Sequence, residues 1–147
     1  MSDAGKRPLA FDEIAARLAA LDLPAVDLVV GIASGGTVPA GLAAYRLGVP
    51  LTLLRINYRD LDNAPQRPKP ELLFPADLPT GRRVLLVDDV SVTGATLDLA
   101  KGLLAGNEIA TLVLKGRGDF VAFPDVGTCV VWPWAVLAAP AKADRGS

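Results

Sequence analysis

Histidine is absent from this chain of 147 residues, and cysteine occurs once, at Cys129. The first absence excludes Ser-His-Asp and Cys-His triads and histidine-ligated zinc. Acid–base work falls to Asp, Glu, Lys or Tyr, and any metal is expected to be a hard ion on carboxylates, such as magnesium. The single cysteine excludes an intrachain disulfide and fits a reducing compartment. Because Cys129 lies in an apolar run, it reads as an inert buried thiol. An excess of one charge sign is missing too: 15 Lys and Arg stand against 16 Asp and Glu, a net charge of −1. No basic surface therefore advertises nucleic acid or an anionic membrane. The longest hydrophobic region, residues 26–54, is broken by Asp27, Pro39, Arg46 and Pro50, so it is no single membrane span. The first residues lack the apolar stretch of a signal peptide. The chain reads as soluble and cytoplasmic, with neither nucleic acid nor membrane among its partners.

Hydrophobic residues, by contrast, make up 51% of the chain, enough for a packed core in one domain spanning residues 1–147. Phe11, Ile14, Ala15, Leu18 and Leu21 recur at helical spacing. "DLVVGI" (27–32) is a short apolar run of the buried-strand kind. A glycine-rich turn, "ASGGT", separates it from a helix with Pro39 in its first turn and Gly48 as its stop. "PLTLLRI", "RVLLV" and "IATLVLK" read as further strands, and "CVVW" (129–132) as a fifth. A helix built on Leu97, Ala100 and Leu104 closes at Gly106-Asn107. Strands alternating with helices predict an α/β fold with a parallel, doubly wound sheet. Residues 57–81 show little periodicity and are rich in proline, which reads as a lid or as an excursion with a short hairpin. The tail, residues 138–147, is small and polar and is expected to fray.

Two loops fall where ligands bind in such sheets, beyond the carboxyl ends of the strands. In "VLLVDDVSVTGATL" (84–97) a strand runs straight into Asp88 and Asp89. Two carboxylates there suit a ligand rich in hydroxyls, or a cation, since burying them unpartnered is costly. Gly94 permits an unusual backbone angle, Thr93 and Thr96 offer hydroxyls, and the next helix begins there. Together these make an anion site suited to a phosphate. A capped helix start also uses Ser, Thr and Gly, and paired aspartates also hold magnesium for phosphoryl transfer. The whole combination is more specific than its parts.

"VLLVDDVSVTGAT" resembles the phosphoribosyl-diphosphate motif of type I phosphoribosyltransferases. The resemblance implies a parallel sheet, a flexible lid at about 57–81 and a small C-terminal hood at about 116–137. It implies transfer of ribose 5-phosphate from phosphoribosyl diphosphate to a nucleobase, with magnesium and release of diphosphate. Asp88 and Asp89 would meet the ribose hydroxyls, with Asp89 a metal ligand. Ser91, Val92, Thr93, Gly94, Ala95 and Thr96 would hold the 5'-phosphate. "GIASGG" is similar to the family's diphosphate loop, which gives that role to Ser34, Gly35 and Gly36; Tyr58 would join them from the lid. "VLKGRG" and "CVVWPW" resemble short bacterial xanthine–guanine members. There Lys115 would touch a purine's exocyclic oxygen, and the backbone near Val130 would close on the base. A homodimer is the family expectation.

The chain departs from that purine pattern at particular positions. Val92 replaces an aspartate that serves the base in 6-oxopurine enzymes, Ser34 replaces a basic residue, and Val131 and Ala135 replace hood acids. A phosphoribosyltransferase acting on a purine-like base is the first reading. A non-catalytic regulatory protein that binds a nucleotide or phosphoribosyl diphosphate on the same fold is the alternative. Trp134 reads as core or hood packing, and Arg55, Arg59 and Arg67 as a solvated face.

Overall fold

A computed structural model of the protein describes residues 7–57, 71–72 and 78–134. Tyr58, Arg59, Arg67, Ala135, the tail and most of the expected lid lie outside the described residues.

Among the described residues eight strands and three helices follow one another as β1 (Arg7–Pro8), α1 (Phe11–Ala20), β2 (Leu28–Ala33), α2 (Thr37–Leu47), β3 (Leu51–Asn57), β4 (Glu71–Leu72), β5 (Arg83–Ser91), α3 (Ala95–Leu103), β6 (Glu108–Gly116), β7 (Phe120–Val121) and β8 (Val130–Val131). The main sheet has the order β4-β3-β2-β5-β6-β7. Its five strands β3, β2, β5, β6 and β7 are parallel, and β4 pairs antiparallel with the end of β3.

The core follows from the two-residue period of the strands. Val29, Leu85, Val87, Leu112 and Leu114 face one side, where they pack with Ile14 and Leu18 of α1 and Ala40 and Ala43 of α2. Val30, Ile32, Val84, Leu86 and Val113 face the other, against Leu97, Ala100 and Leu104. Central strands covered on both faces read as continuous apolar runs, which is why "LVVGIA" and "VLLV" contain no polar residue. Gly31 lets α2 cross β2 closely, since a Cβ there would lie 2.5 Å from that of Ala40. At the amino ends of β2 and β5, Arg83 clasps Asp27: Nη2 donates to Oδ1 at 3.0 Å, and the Arg83 N–H donates to Oδ2 at 2.9 Å.

The stop signals act as expected. Gly48 takes φ 69° and donates its N–H to the Ala44 carbonyl at 2.8 Å. Beyond α3, the Asn107 amide donates to the carbonyls of Leu104 (2.7 Å) and Pro79 (2.8 Å).

Two expectations are corrected. "CVVW" is not the fifth strand of the sheet. Only Val130 and Val131 are extended, and they pair in parallel with Arg7 and Pro8 in a separate two-stranded sheet. The edge beside β6 is taken instead by Phe120 and Val121, which pair with Leu112 and Val113. The four residues of "GRGD" turn the chain there, so an edge strand forms before the apolar run at 129–132 is reached. Cys129 is not buried either: the free thiol is exposed, because only its backbone joins the small sheet, accepting the Arg7 N–H at 2.9 Å. Trp134 packs as expected, stacked on Trp132 with 5.4 Å between centroids and tilted against Phe11 at 5.9 Å. Among the described residues no helix is long and apolar enough to cross a membrane.

Candidate active site

Because the strands are parallel, β2, β5 and β6 deliver their carboxyl ends to one edge of the molecule. The chain leaves β2 into Ser34, Gly35 and Gly36, through a cis Ala33–Ser34 peptide. It leaves β5 past Asp88 and Asp89 into the loop before α3. The two loops meet. A Cβ on Gly35 would stand 2.6 Å from Asp89 Oδ2 and 2.7 Å from Oδ1, so the Asp89 carboxylate rests on the Gly35 backbone. A Cβ on Gly36 would stand 2.6 Å from the Val87 carbonyl oxygen and 2.7 Å from that of Ile32. Close backbone approach requires glycine at Gly36, and Gly35 leaves room for the Asp89 carboxylate, which "ASGGT" alone left indistinguishable from an ordinary turn.

The carboxylates are held by backbone donors and carry no cationic partner among the described residues. Asp88 Oδ1 accepts the Asp89 N–H at 2.8 Å, and Asp89 Oδ1 accepts the Val90 N–H at 2.7 Å. Asp88 is 8% exposed. Burial first, and then the neighbouring Asp89 charge, push its carboxyl up to about 8. A buried acid with no counter-charge favours its neutral form. A ligand that donates hydroxyls or a cation that docks here would reverse that preference.

A cavity of about 230 Å³ opens beside Asp88 and is lined by Val90, Ser91, Val92, Thr93, Gly94, Ala95 and Thr96. Gly94 takes φ 88°, a left-handed conformation that favours glycine. α3 begins after it with no side-chain cap on Gly94. Thr93 Oγ1 accepts the Ala95 N–H at 3.2 Å and the Gly94 carbonyl accepts the Asp98 N–H at 2.8 Å, which leaves the Thr96 and Leu97 N–H groups at the helix start. The helix end thus offers N–H groups and a positive dipole to an anion. Ser91 is buried, and its Oγ has no hydrogen-bond partner. Val92 stands at the loop tip, 75% exposed, and gives the rim an apolar surface where a carboxylate was the family expectation.

Of the other candidates, Lys115 is half-buried one strand away, paired in register with Val90. Val130 belongs to the small sheet with β1. The structure therefore brings together Asp88, Asp89, Gly35, Gly36 and residues 91–96, with Lys115 on the adjacent strand. One participant had no assigned role in the sequence reading. Gly116, at φ 105°, is pressed on the Ser91 backbone so closely that a Cβ would overlap the Ser91 carbonyl oxygen. The Arg117 N–H then donates to that same oxygen at 2.9 Å. The glycine after Lys115 in "LKGRG" was its signal.

Comparison with known proteins identifies the family of this fold. The phosphoribosyl transferase domain family matches residues 7–141. An adenine phosphoribosyltransferase of Clavibacter michiganensis is 36% identical over 82% of this chain and 73% of its own length. A xanthine-guanine phosphoribosyltransferase of a Ruegeria species is 28% identical over 81% of this chain and 74% of its own. An orotate phosphoribosyltransferase of Sulfurisphaera tokodaii is 33% identical, but the match spans only 45% of that protein. Among solved structures, a purine phosphoribosyltransferase from Pyrococcus horikoshii superposes with a TM-score of 0.73 at 26% identity, covering 88% of this chain and 94% of that one. The fold, the paired loops and these relatives lead to one assignment: the chain belongs to the phosphoribosyl transferase domain family.

Proposed function

We propose that the protein transfers ribose 5-phosphate from phosphoribosyl diphosphate to a nitrogen of a nucleobase and releases diphosphate. The observation that carries this reading is the meeting of Asp89 with Gly35, which joins a carboxylate pair to a glycine-rich loop beside the start of α3. Asp88 and Asp89 accept the ribose hydroxyls. Residues 91–96 hold the 5'-phosphate through backbone N–H groups and the threonine hydroxyls. Ser34, Gly35 and Gly36, with Tyr58 from the lid, hold the diphosphate. As the bond from ribose C1 to diphosphate breaks, positive charge builds on the sugar, and the field of the two carboxylates favours it. The lid at 57–81 excludes water, a competing nucleophile.

Magnesium fits this site. Two carboxylates without a counter-charge suit a hard divalent ion, with Asp89 as the ligand from this chain. Among the described residues no group of three or more Asp, Glu, Cys or His converges, so a bound ion would take its other ligands from the substrate and water. When bound, the ion neutralises charge on the diphosphate. The working form is a cytoplasmic homodimer without nucleic-acid or membrane partners.

The base is met by Lys115 and by the hood backbone near Val130. Val92 can neither accept nor donate a proton, so the base requires no acceptor at that point. A second reading, a regulatory protein that binds the sugar phosphate without turnover, draws on the same exposed valine. A diphosphate-release assay over adenine, guanine, hypoxanthine, xanthine, orotate and uracil tests both. Turnover with one base supports the transferase. Binding of phosphoribosyl diphosphate with no release for any base favours the regulator.

A further inference from the structure

A second cavity, of about 340 Å³, lies behind the phosphate loop and shares Thr93 and Gly94 with the first. α3 contributes Leu97, Asp98 and Lys101 to it, and the β6–β7 connection contributes Arg117 and Asp119 above Thr111. The backbone of this connection is fixed without its basic side chain. The Asp119 N–H donates to Thr111 Oγ1 at 2.8 Å, and Asp119 Oδ2 accepts the Thr111 N–H at 2.9 Å. The Arg117 N–H is held by Ser91, and Gly116 is locked on the Ser91 backbone. Yet among the described residues the Arg117 guanidinium has no ion pair and no hydrogen bond, and neither does Lys101, even with Asp98 three positions before it on the same helix. The surface cations elsewhere that do a structural job are engaged: Arg17 with Asp125, Arg83 with Asp27, Arg7 with Glu13.

We propose that this rear cavity is a second ligand site for a phosphomonoester of a polyol, that is, a sugar phosphate or a nucleoside monophosphate. Lys101 and Arg117 hold the phosphate. Arginine and lysine on a shared concavity suit it, and both charges are free to turn toward it. Among the described residues Asp98 has no partner either, and it accepts sugar hydroxyls. Asp119 is already engaged by Thr111, so its task is to hold the loop.

Occupancy of this site bears directly on the substrate site. A ligand joining Lys101 to Arg117 ties α3 to the segment that follows Lys115, and both border the phosphate loop through Thr93, Gly94 and Ser91. The rear ligand therefore shifts affinity at the front, and the front ligand shifts affinity at the rear by the same factor. The proposal stands independently of the transfer reaction, since it concerns binding behind the loop.

Titration calorimetry of the full chain in magnesium buffer tests it, with ribose 5-phosphate and AMP as separate probes. The wild type is expected to bind two equivalents of the accepted probe. Lys101→Ala with Arg117→Ala is expected to weaken one of them at least about tenfold and to leave the other bound, its affinity changed only by the lost coupling. Both side chains are exposed, so the melting temperature serves as a folding control. Restoration of the second equivalent by Arg117→Lys with Lys101 intact supports a charge-held phosphate. If the front site has no affinity, the wild type binds one equivalent and the double variant none, which still supports the rear site while removing the substrate assignment. A probe preference for ribose 5-phosphate or for AMP identifies which phosphomonoester it takes. One equivalent that the double variant retains in full, or two that it retains in full, overturns the proposal.

Discussion

Replacing Asp88 by asparagine should make the ligand-free protein more stable at neutral pH, although it removes an ionisable carboxyl from the centre of the site. The folded protein raises the Asp88 carboxyl from 3.8 to about 8. Between those values the native state holds a proton that the unfolded chain releases. Stability therefore falls as pH rises through this window, from a full contribution below about 4 to a full penalty above about 8. At about 1.4 kcal/mol for each pKa unit, three units separate the unfolded value from pH 7, which sets a ceiling of roughly 4 kcal/mol there. Local relaxation and water entry lower the observed figure, so a gain of roughly 1–4 kcal/mol is expected at pH 7–8, and little at pH 4. Asparagine keeps an oxygen to accept the Asp89 N–H, so the hydrogen bond at 2.8 Å survives. For a domain of this size the gain corresponds to a rise of very roughly 2–15 °C in Tm. The assay is urea or thermal unfolding of chelator-treated wild type and Asp88→Asn at half-unit steps from pH 4 to pH 8.5. A stability difference that stays flat across that range, or a variant less stable than wild type at pH 8, would refute the burial argument.

Other consequences follow from the same geometry. In magnesium, Asp88→Asn and Asp89→Asn should each weaken ribose 5-phosphate binding by about 1.5–3 kcal/mol, read by calorimetry, because each removes a charge-assisted acceptor. Gly35→Ala meets only the movable Asp89 carboxylate, so it should displace that group and lower ligand affinity with a small change in Tm; Gly36→Ala meets two backbone carbonyls and should cost about 1–3 kcal/mol in unfolding measurements. Arg83 holds the Asp27 carboxyl down at about 2, so the exposed Asp27–Arg83 pair contributes stability above pH 4 that is lost as pH falls toward 2, and Asp27→Asn should flatten that acid limb in a pH titration of unfolding. Val92→Asp should raise diphosphate release with hypoxanthine or guanine by about 10²–10⁴-fold if the pocket is otherwise competent, and fast wild-type turnover of these bases would show that the valine carries no such limit.

Much of the sheet was legible because buried parallel strands announce themselves. "LVVGIA" and "RVLLV" are apolar on both faces, and the turns after them are rich in glycine. The Asp-Asp motif was legible for the opposite reason: two acids directly after four apolar residues are a poor way to end a strand unless something meets them. The edge of the sheet was not legible. Phe120 and Val121 make a strand of two residues, too short to show any period, whereas "CVVW" carries the β-rich composition without the neighbour. Cys129 was misjudged for the same reason, since composition reports apolar surroundings in sequence rather than in space. The contact of Gly35 with Asp89 was also hidden, because it depends on two strands lying side by side.

The local rules of folding are broken together at one place. Among the described residues, Asp88 is buried without a counter-charge, the Ser91 hydroxyl is buried without a partner, α3 starts from a left-handed Gly94, and Val92 exposes an apolar side chain at the rim. The first two cost free energy in the ligand-free state, and all four border the same cavity. A sugar phosphate can relieve two of them at once, by donating hydroxyls to the carboxylates and by accepting the free N–H groups of α3. The relief would appear as ligand-linked stability: at a concentration of 100 Kd, binding adds about 2.7 kcal/mol to unfolding. Asp88→Asn has already removed the largest of those costs, so it should gain less from the same ligand than wild type does. The residues that lower stability in the ligand-free state are thus the ones that the proposed sugar phosphate would meet.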